Sequence, residues 1–184
     1  MPVIVAMAGL PGVGKSTLAH AVADASGAVV LDKDLIRASL FPPSYVDYTV
    51  EQDDFCVDVM YRTAGWLFRR DPATVVILDG RTYTRVEQVA ALKQAAATLD
   101  AALRIIECTC AEPVALGRLD DDRRTDRHPA ANRDAVLYQE FLASADPIDE
   151  PRLVVDTGRP LSDCVAECLE YLGAPTIEGR HGSD

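Results

Sequence analysis

The residues best suited to chemistry lie near the start of the chain, in the segment Gly9–Ser16, which reads GLPGVGKS. This segment satisfies the pattern G-x-x-x-x-G-K-[ST], whose glycines let backbone N–H groups curl around phosphate oxygens. Lys15 is expected to reach the β- and γ-phosphates, and the Ser16 hydroxyl to ligate Mg²⁺. The pattern predicts an ATP and Mg²⁺ site whose nucleotide-binding residues are Gly12, Val13, Gly14, Lys15, Ser16 and Thr17.

A second group of candidates follows a short apolar segment, in Leu31–Arg37, which reads LDKDLIR. Asp34 is placed to accept a proton from an acceptor hydroxyl as that oxygen attacks the γ-phosphate. Arg37 comes one helical turn later, where it would orient the acceptor or the moving phosphoryl group. Asp32 is a candidate to contact Mg²⁺ through water or to hold Lys33. The alternative for Asp34 is that it only caps the helix beginning beside it.

A third carboxylate, Asp79, ends an apolar β-branched segment and is followed by two arginines, Arg81 and Arg85. An aspartate at the end of such a strand can hold the Mg²⁺ hydration shell or bind the acceptor. The alternative is a turn residue that leads into the next helix. Arg81 and Arg85 are candidates to bind the acceptor, and exposed helix charge is the equal alternative.

These candidates need a scaffold that brings distant segments together, and the sequence alternates apolar strands with helical stretches. Strands are predicted at Val3–Ala8, Ala28–Leu31, Thr74–Asp79, Leu103–Thr109 and Leu153–Val155. Helices are predicted at Lys15–Ser26, Asp34–Leu40, Val50–Arg70, Thr84–Leu99, Glu112–Leu119, Asn132–Ser144 and Leu161–Leu172. The order predicts a five-stranded parallel sheet with helices on both faces, in a single domain of residues 1–173.

Length and composition narrow the function classes. The 184 residues are 48% hydrophobic and 26% charged, which is typical of a globular protein. The net charge of −11 argues against a protein that binds nucleic acids or membrane surfaces. Five cysteines without a recognisable signal peptide favour reduced thiols and a cytoplasmic location. The tail 174–184 is expected to be flexible. Its Ile177–Arg180 matches a protease-cleavage linker used in expression vectors, and a native tail is the alternative.

The run GLPGVGKST, followed about fifteen residues later by LDKDLIR, resembles the P-loop kinases related to the amino-terminal kinase domain of bacteriophage polynucleotide kinase. Shikimate, gluconate and adenylylsulfate kinases are more distant relatives of that group. The resemblance extends over about residues 3–172. It implies a three-layer α/β/α P-loop NTPase fold and an ATP- and Mg²⁺-dependent kinase, with Asp34 as catalytic base and Arg37 three residues later.

The same resemblance implies a mobile lid over about residues 118–130, whose arginines cover the phosphates in such kinases. Guanidinium groups neutralise transition-state charge there, and closure excludes water. The predicted lid residues are Arg118, with Arg123 or Arg124. The alternative is a solvated loop of mixed charge, because three aspartates interrupt the arginines. His128 is interpreted as structural. In relatives, the turn Asp156–Pro160 lies beside the adenine.

In the resembling kinases the segment after Asp34 forms the acceptor pocket, and here it is acidic and aromatic, with Asp54 among its carboxylates. It contains no lysine or arginine from Ala38 to Tyr61. This predicts a small, cationic acceptor, such as an aminosugar, amino acid, guanidine compound or antibiotic, bound by a monomer or homodimer. The alternative is that these carboxylates form a solvated acidic helix face and bind no acceptor. A polynucleotide or nucleotide kinase, and a non-catalytic nucleotide-binding regulatory module, are the other functions considered.

Overall fold

The computed structural model describes residues 1–125 and 135–173. Its strands are β1 (Val3–Ala8), β2 (Val29–Asp32), β3 (Val75–Asp79), β4 (Ala102–Thr109) and β5 (Leu153–Asp156). Its helices are α1 (Lys15–Ser26), α2 (Lys33–Leu40), α3 (Val50–Arg70), α4 (Val86–Thr98), α5 (Glu112–Thr125), α6 (Ala135–Ser144) and α7 (Leu161–Leu172). The strands form one parallel sheet in the order β2-β3-β1-β4-β5.

Strand β1 runs through the middle of the sheet and supplies both faces of the core, because side chains alternate along a strand. Val5 and Met7 pack with the buried residues of α1 and α7. Ile4 and Ala6 pack on the opposite face with those of α3 and α4. This confirms the predicted three-layer α/β/α architecture of a P-loop NTPase.

The sheet order brings the candidate residues to one edge. Strand β1 leads directly into the segment Gly9–Ser16 and pairs with β3, and β3 pairs with β2. The register places Asp32 opposite Asp79 at the ends of their strands. In parallel sheets of this kind ligands bind in the crevice beyond the carboxyl ends of the strands. Three segments far apart in sequence therefore meet at that crevice.

Helix α5 is longer than predicted. A helix ending at Leu119 and a mobile stretch over 120–130 were expected, but α5 continues to Thr125. Leu119, which directly precedes the extension, is almost fully buried, and on the exposed side Arg124 pairs with Asp120 and Asp121 one turn earlier. The predicted helix end at Leu119 was wrong by six residues, whereas the mobility of the lid stays a prediction. Residues 126–130 lie outside the described residues.

Most other boundaries differ from prediction by one or two residues. Helix α3 has the predicted bounds, and Thr49 caps it by accepting a hydrogen bond from the Gln52 backbone N–H at 3.2 Å. Helix α4 begins at Val86, whose N–H donates to the Asp146 carboxylate at 3.0 Å. The predicted tail 174–184 lies outside the described residues. No helix within 1–125 and 135–173 is long and apolar enough to cross a membrane.

The five cysteines are free thiols, and four of them are buried. Burial raises the pKa of Cys108 and of Cys168 to about 12. Both thiols are therefore protonated and unreactive at neutral pH, and they pack as small apolar side chains between the sheet and α7.

Candidate active site

The phosphate loop of residues 9–16 is held in a conformation that requires glycine. Gly9 and Gly12 have φ angles of +126° and +78°, in the region that other residues rarely adopt. A Cβ atom on Gly12 would lie 2.6 Å from the carbonyl oxygen of Ala115, and one on Gly9 would lie 2.3 Å from that of Cys108. The loop thus curls directly against β4 and α5, with no room for a side chain.

The loop ends at the first turn of α1, where Lys15 and Ser16 lie. Gly14 is the N-cap of this helix and supplies no side-chain hydrogen bond to its first turn. Backbone N–H groups at such a helix start are suited to an anion. The Lys15 ammonium donates to the carbonyl oxygens of Gly9 and Leu10, at 2.8 Å each, and so is held across the loop.

A cavity of about 390 Å³ lies beside this helix start and is lined by five of the six nucleotide residues predicted in the loop: Gly12, Gly14, Lys15, Ser16 and Thr17. Arg118 of α5 also lines it, as predicted, and donates to the Thr157 hydroxyl at 3.1 Å and to its carbonyl at 2.9 Å. The Thr157 hydroxyl in turn donates to the carbonyl of Val13 at 2.6 Å. Helix α5 and the turn after β5 are therefore tied to the phosphate loop.

The other two predicted lid arginines lie elsewhere. Arg123 and Arg124 are exposed, and in the described part of the chain neither lines this cavity. Arg124 is paired with Asp121, and the hydrogen bond to that carboxylate raises the pKa of the guanidinium. Among the described residues of the predicted lid, Arg118 and Asp122 line the smaller cavity, so one of the three predicted arginines reaches it. His128 lies outside the described residues.

A larger cavity of about 650 Å³ adjoins the first, and Lys15 and Ser16 line both. Five residues predicted to bind or activate the acceptor line the larger cavity: Asp34, Arg37, Asp54, Arg81 and Arg85. A nucleotide in the smaller cavity and an acceptor in the larger one would therefore meet at the first turn of α1. We name the larger space the acceptor cavity.

Asp34 is part of a buried network of four charges. Its Oδ1 accepts a hydrogen bond from Arg37 at 2.5 Å and lies 3.5 Å from the Lys33 ammonium. Asp53 of α3 completes the network, because its carboxylate pairs with Lys33 at 2.8 Å and with Arg37. Two cations and two carboxylates thus balance, and they set the orientation of Asp34.

The capping alternative for Asp34 is wrong. The N-cap of α2 is Asp32, whose Oδ1 accepts from the backbone N–H groups of Asp34 at 2.7 Å and Leu35 at 3.1 Å. This also corrects the suggestion that Asp32 holds Lys33, since that ammonium contacts Asp34 and Asp53. Asp34 is consequently turned toward the acceptor cavity.

Asp79 is fully buried, and both of its carboxylate oxygens are without a hydrogen-bond partner among the described residues. Burial, together with the nearby charges of Asp79 and Asp34, raises the pKa of Asp32. A buried carboxylate without a partner is costly, and a hard divalent cation with its water shell is suited to satisfy it. Asp79, Asp32 and the Ser16 hydroxyl therefore fit Mg²⁺ at this edge.

The described residues contain no group of three or more His, Cys, Asp or Glu side chains placed to hold a metal. Mg²⁺ in phosphotransferases is commonly bound by few protein ligands and completes its shell with phosphate oxygens and water. The sparse set of oxygen ligands at Asp79 is consistent with that mode of binding.

The acceptor cavity is not the acidic pocket expected from the sequence. Asp53 pairs with Lys33 and Arg37, and Asp54 pairs with Arg81. These three basic partners come from outside the segment 38–61, so counting charges within that segment missed them. The lining of the cavity contains five acidic and five basic residues: Asp34, Asp53, Asp54, Asp58 and Glu87, with Lys15, Lys33, Arg37, Arg81 and Arg85.

The structure shows contacts at the site that the sequence did not predict. Asp53 orients Asp34 through shared cations, and Thr157 ties α5 to the phosphate loop. Leu137 and Phe141 of α6 line the acceptor cavity. The sequence signals were the acidic segment for Asp53 and the turn Asp156–Pro160 for Thr157. For Leu137 and Phe141 the signal was their spacing of four residues, which predicts one face of a helix.

Comparison with solved structures identifies several similar folds. The adenylylsulfate (APS) kinase of Mycobacterium tuberculosis, in complex with AMPPNP and APS, superposes with a TM-score of 0.70 and 18% identity, over 94% of this chain and 98% of that one. A gluconokinase from Sinorhizobium meliloti gives 0.68 and 19%, over 94% and 92%. A sugar kinase from Janibacter gives 0.66 and 18%, over 95% and 96%. At these identities the likeness shows the fold.

The sequence itself was compared with curated proteins and with family models. No curated protein matches it. The model described as an AAA domain (AAA_33) matches residues 4–148, which include the phosphate loop, the network around Asp34, and Asp79. That match covers most of the chain and agrees with the P-loop architecture and its kinase neighbours. The chain therefore belongs to the AAA_33 family of P-loop domains.

Proposed function

We propose that this protein is an ATP- and Mg²⁺-dependent phosphotransferase that moves the γ-phosphoryl group to a hydroxyl of a small molecule. The observation that carries the proposal is the junction of two cavities at Lys15 and Ser16, with Asp34 on the acceptor side. A regulatory nucleotide-binding module needs no second cavity with an oriented carboxylate. The kinase neighbours support the same reaction class.

In this proposal Asp34 accepts the proton of the acceptor hydroxyl. Arg37 and Lys33 hold the carboxylate in place, and Lys15 stabilises the negative charge that develops on the leaving oxygen as its bond to the γ-phosphorus breaks. Arg118, fixed by Thr157, adds positive charge on the nucleotide side. When bound, Mg²⁺ neutralises charge on the phosphate oxygens, and Ser16, Asp79 and Asp32 are the residues suited to hold it.

The proposed acceptor is a small molecule, and the cavity favours neither a cationic nor an anionic one. The carboxylates that predicted a cationic acceptor are balanced by lysine and arginine within the cavity. Arg37 and Arg81 are engaged in these ion pairs, which disfavours the phosphate backbone of a polynucleotide as acceptor. The cytoplasmic location and the monomeric or homodimeric state stay predictions.

The test is ADP release with ATP and Mg²⁺ across a panel of hydroxyl compounds: aminosugars, simple sugars, amino acids, nucleosides, antibiotics and a 5′-hydroxyl oligonucleotide. Asp34→Asn should lower kcat by about 10²- to 10⁴-fold, the range for loss of a general base, while ATP affinity stays within about twofold. Glu150→Gln is the matched control, because it removes a carboxylate from an ion pair with Lys93 outside both cavities.

Stimulation by one chemical class that is lost in Asp34→Asn would establish the reaction and name the acceptor class. Stimulation by the oligonucleotide alone would replace the small-molecule acceptor with a polynucleotide. Binding of ATP with no stimulated turnover in either protein would favour the regulatory module instead.

A further inference from the structure

One wall of the acceptor cavity is apolar and comes from α6. Leu137 and Phe141 are four residues apart, so they lie on one face of this helix, and both line the cavity while half-buried. Nothing in the phosphoryl-transfer chemistry proposed above uses these two side chains. Their presence next to a charged reaction centre needs another explanation.

Helix α6 is fixed in this position at several points. Tyr138, next to Leu137, is buried in the core on the α1 and α7 side of the sheet. Gln139 donates a hydrogen bond to Glu112 of α5 at 2.7 Å. Beyond the helix, Ile148 is buried in the opposite core cluster. The apolar wall is therefore a built part of the cavity.

The other sides of the cavity divide into an apolar and a charged portion. Val57, which is buried, and Ala91 add aliphatic surface, and the rings of Tyr48 and Tyr61 line the cavity as well. In the charged portion, Lys33 and Arg37 pair with Asp34 and Asp53, and Arg81 pairs with Asp54. A ligand bound here would thus meet polar groups near Lys15 and Asp34 and apolar surface near α6.

We infer that the acceptor is an amphipathic molecule, which carries an apolar or aromatic group besides the hydroxyl that is phosphorylated. This inference rests on the proposed function, because it names the substrate class of the same site. The cavity of about 650 Å³ lies in the range of about 300–1,000 Å³ typical of pockets that enclose drug-sized ligands. A bare polyol would lose water at the α6 wall without gaining a hydrogen bond there.

The experiment uses matched pairs of hydroxyl compounds that differ by one phenyl group: methyl and phenyl β-glucoside, serinol and 2-amino-1-phenyl-1,3-propanediol, and ribose and 1-phenylribose. Binding of each compound to the full chain is measured by ligand-observed NMR and thermal shift, with Mg²⁺ and a non-hydrolysable ATP analogue present. In at least one pair the phenyl member should bind about tenfold more tightly, the gain for burying one apolar group.

Two variants connect this gain to the α6 wall. Phe141→Ala should remove most of the preference for the phenyl member, whereas Leu142→Ala, on the same helix but 46% exposed and outside the cavity lining, should retain it. Leu137→Ala is the second test should Phe141→Ala unfold. Equal binding of both members in every pair, failure of every compound to bind, or equal effects of Phe141→Ala and Leu142→Ala would overturn the inference.

The result separates this inference from the proposed function. A protein that binds the phenyl compounds in an α6-dependent manner, yet transfers no phosphoryl group to any acceptor, would refute the phosphotransferase and keep the amphipathic site. Turnover of a bare sugar with no preference for phenyl compounds would support the phosphotransferase and refute the amphipathic site.

Discussion

Asp53 is the residue whose replacement tests the buried network most directly. It lies on α3, pairs with Lys33 and with Arg37, and never touches the proposed proton-accepting carboxylate itself. Arg37 is 2% exposed, and the side chains of Lys33 and Asp34 are about as buried, at 9% and 10%. Asp53→Asn would therefore leave two nearly buried cations with a single carboxylate.

The expected loss of stability follows from this imbalance of charge. Removing one partner of a buried ion pair costs about 3–5 kcal/mol, because the remaining charge is left uncompensated. The Asp53 side chain is 27% exposed and Asp34 still serves both cations, so we expect about 2 kcal/mol of lost unfolding free energy. Without Asp53, Lys33 and Arg37 are no longer held on α3, so they fix the orientation of Asp34 less well, and kcat should fall about tenfold while KM for ATP changes less than about twofold.

Urea unfolding and steady-state kinetics measure the two effects. Glu150→Gln is again the control, since its ion pair with Lys93 is exposed and should contribute about 0.5 kcal/mol or less. If Asp53→Asn costs no more stability than Glu150→Gln, the four charges do not act as a network. A loss of stability with unchanged kcat would show that Asp53 is structural and does not position Asp34.

Further predictions concern the phosphate loop and the paired carboxylates. Gly12→Ala should destabilise the fold by about 2 kcal/mol and weaken ATP binding more than tenfold, because its Cβ would meet the Ala115 carbonyl at 2.6 Å with φ at +78°. Gly117→Ala, a helical position with nothing within 4 Å, should instead stabilise by about 0.5–1 kcal/mol in the same urea titration. Asp32 has a raised pKa, so its ionisation costs folded-state stability as pH rises above its usual 3.8. Asp32→Asn keeps an N-cap and removes that charge, so its urea midpoint relative to the parent should increase from pH 4 to pH 7; an unchanged or falling difference would contradict the raised pKa.

Local patterns predicted most of the elements. Helix α3 has the predicted bounds because its apolar stripe recurs at helical spacing and Thr49 caps its start. Helix α5 was predicted to end at Leu119, before the charged stretch, but those charges pair along the helix and Leu119 lies against the phosphate loop. Charge density alone could not distinguish these outcomes, because the deciding contact is tertiary.

The candidate site likewise has features that the sequence predicts and features that depend on tertiary contacts. The phosphate loop could be identified from sequence because its chemistry lies in consecutive residues, and Asp34 and Arg37 because they are one helical turn apart. The charge of the acceptor cavity could not be predicted, because Asp53 and Asp54 form ion pairs with residues of α2 and of the loop after β3. The complete burial of Asp79 and the position of α6 could not be predicted from the sequence either.

By itself, then, the sequence determined the phosphate loop, the alternation of strands and helices, and the residue types available for phosphoryl transfer. Each of these depends on interactions between residues close together in the chain. Only the tertiary structure decided that the carboxylates of the acceptor cavity are neutralised, that Asp53 holds the cations beside Asp34, and that α6 adds an apolar wall. Ion pairing and cavity lining depend on which elements meet in space, and the order of the strands sets that.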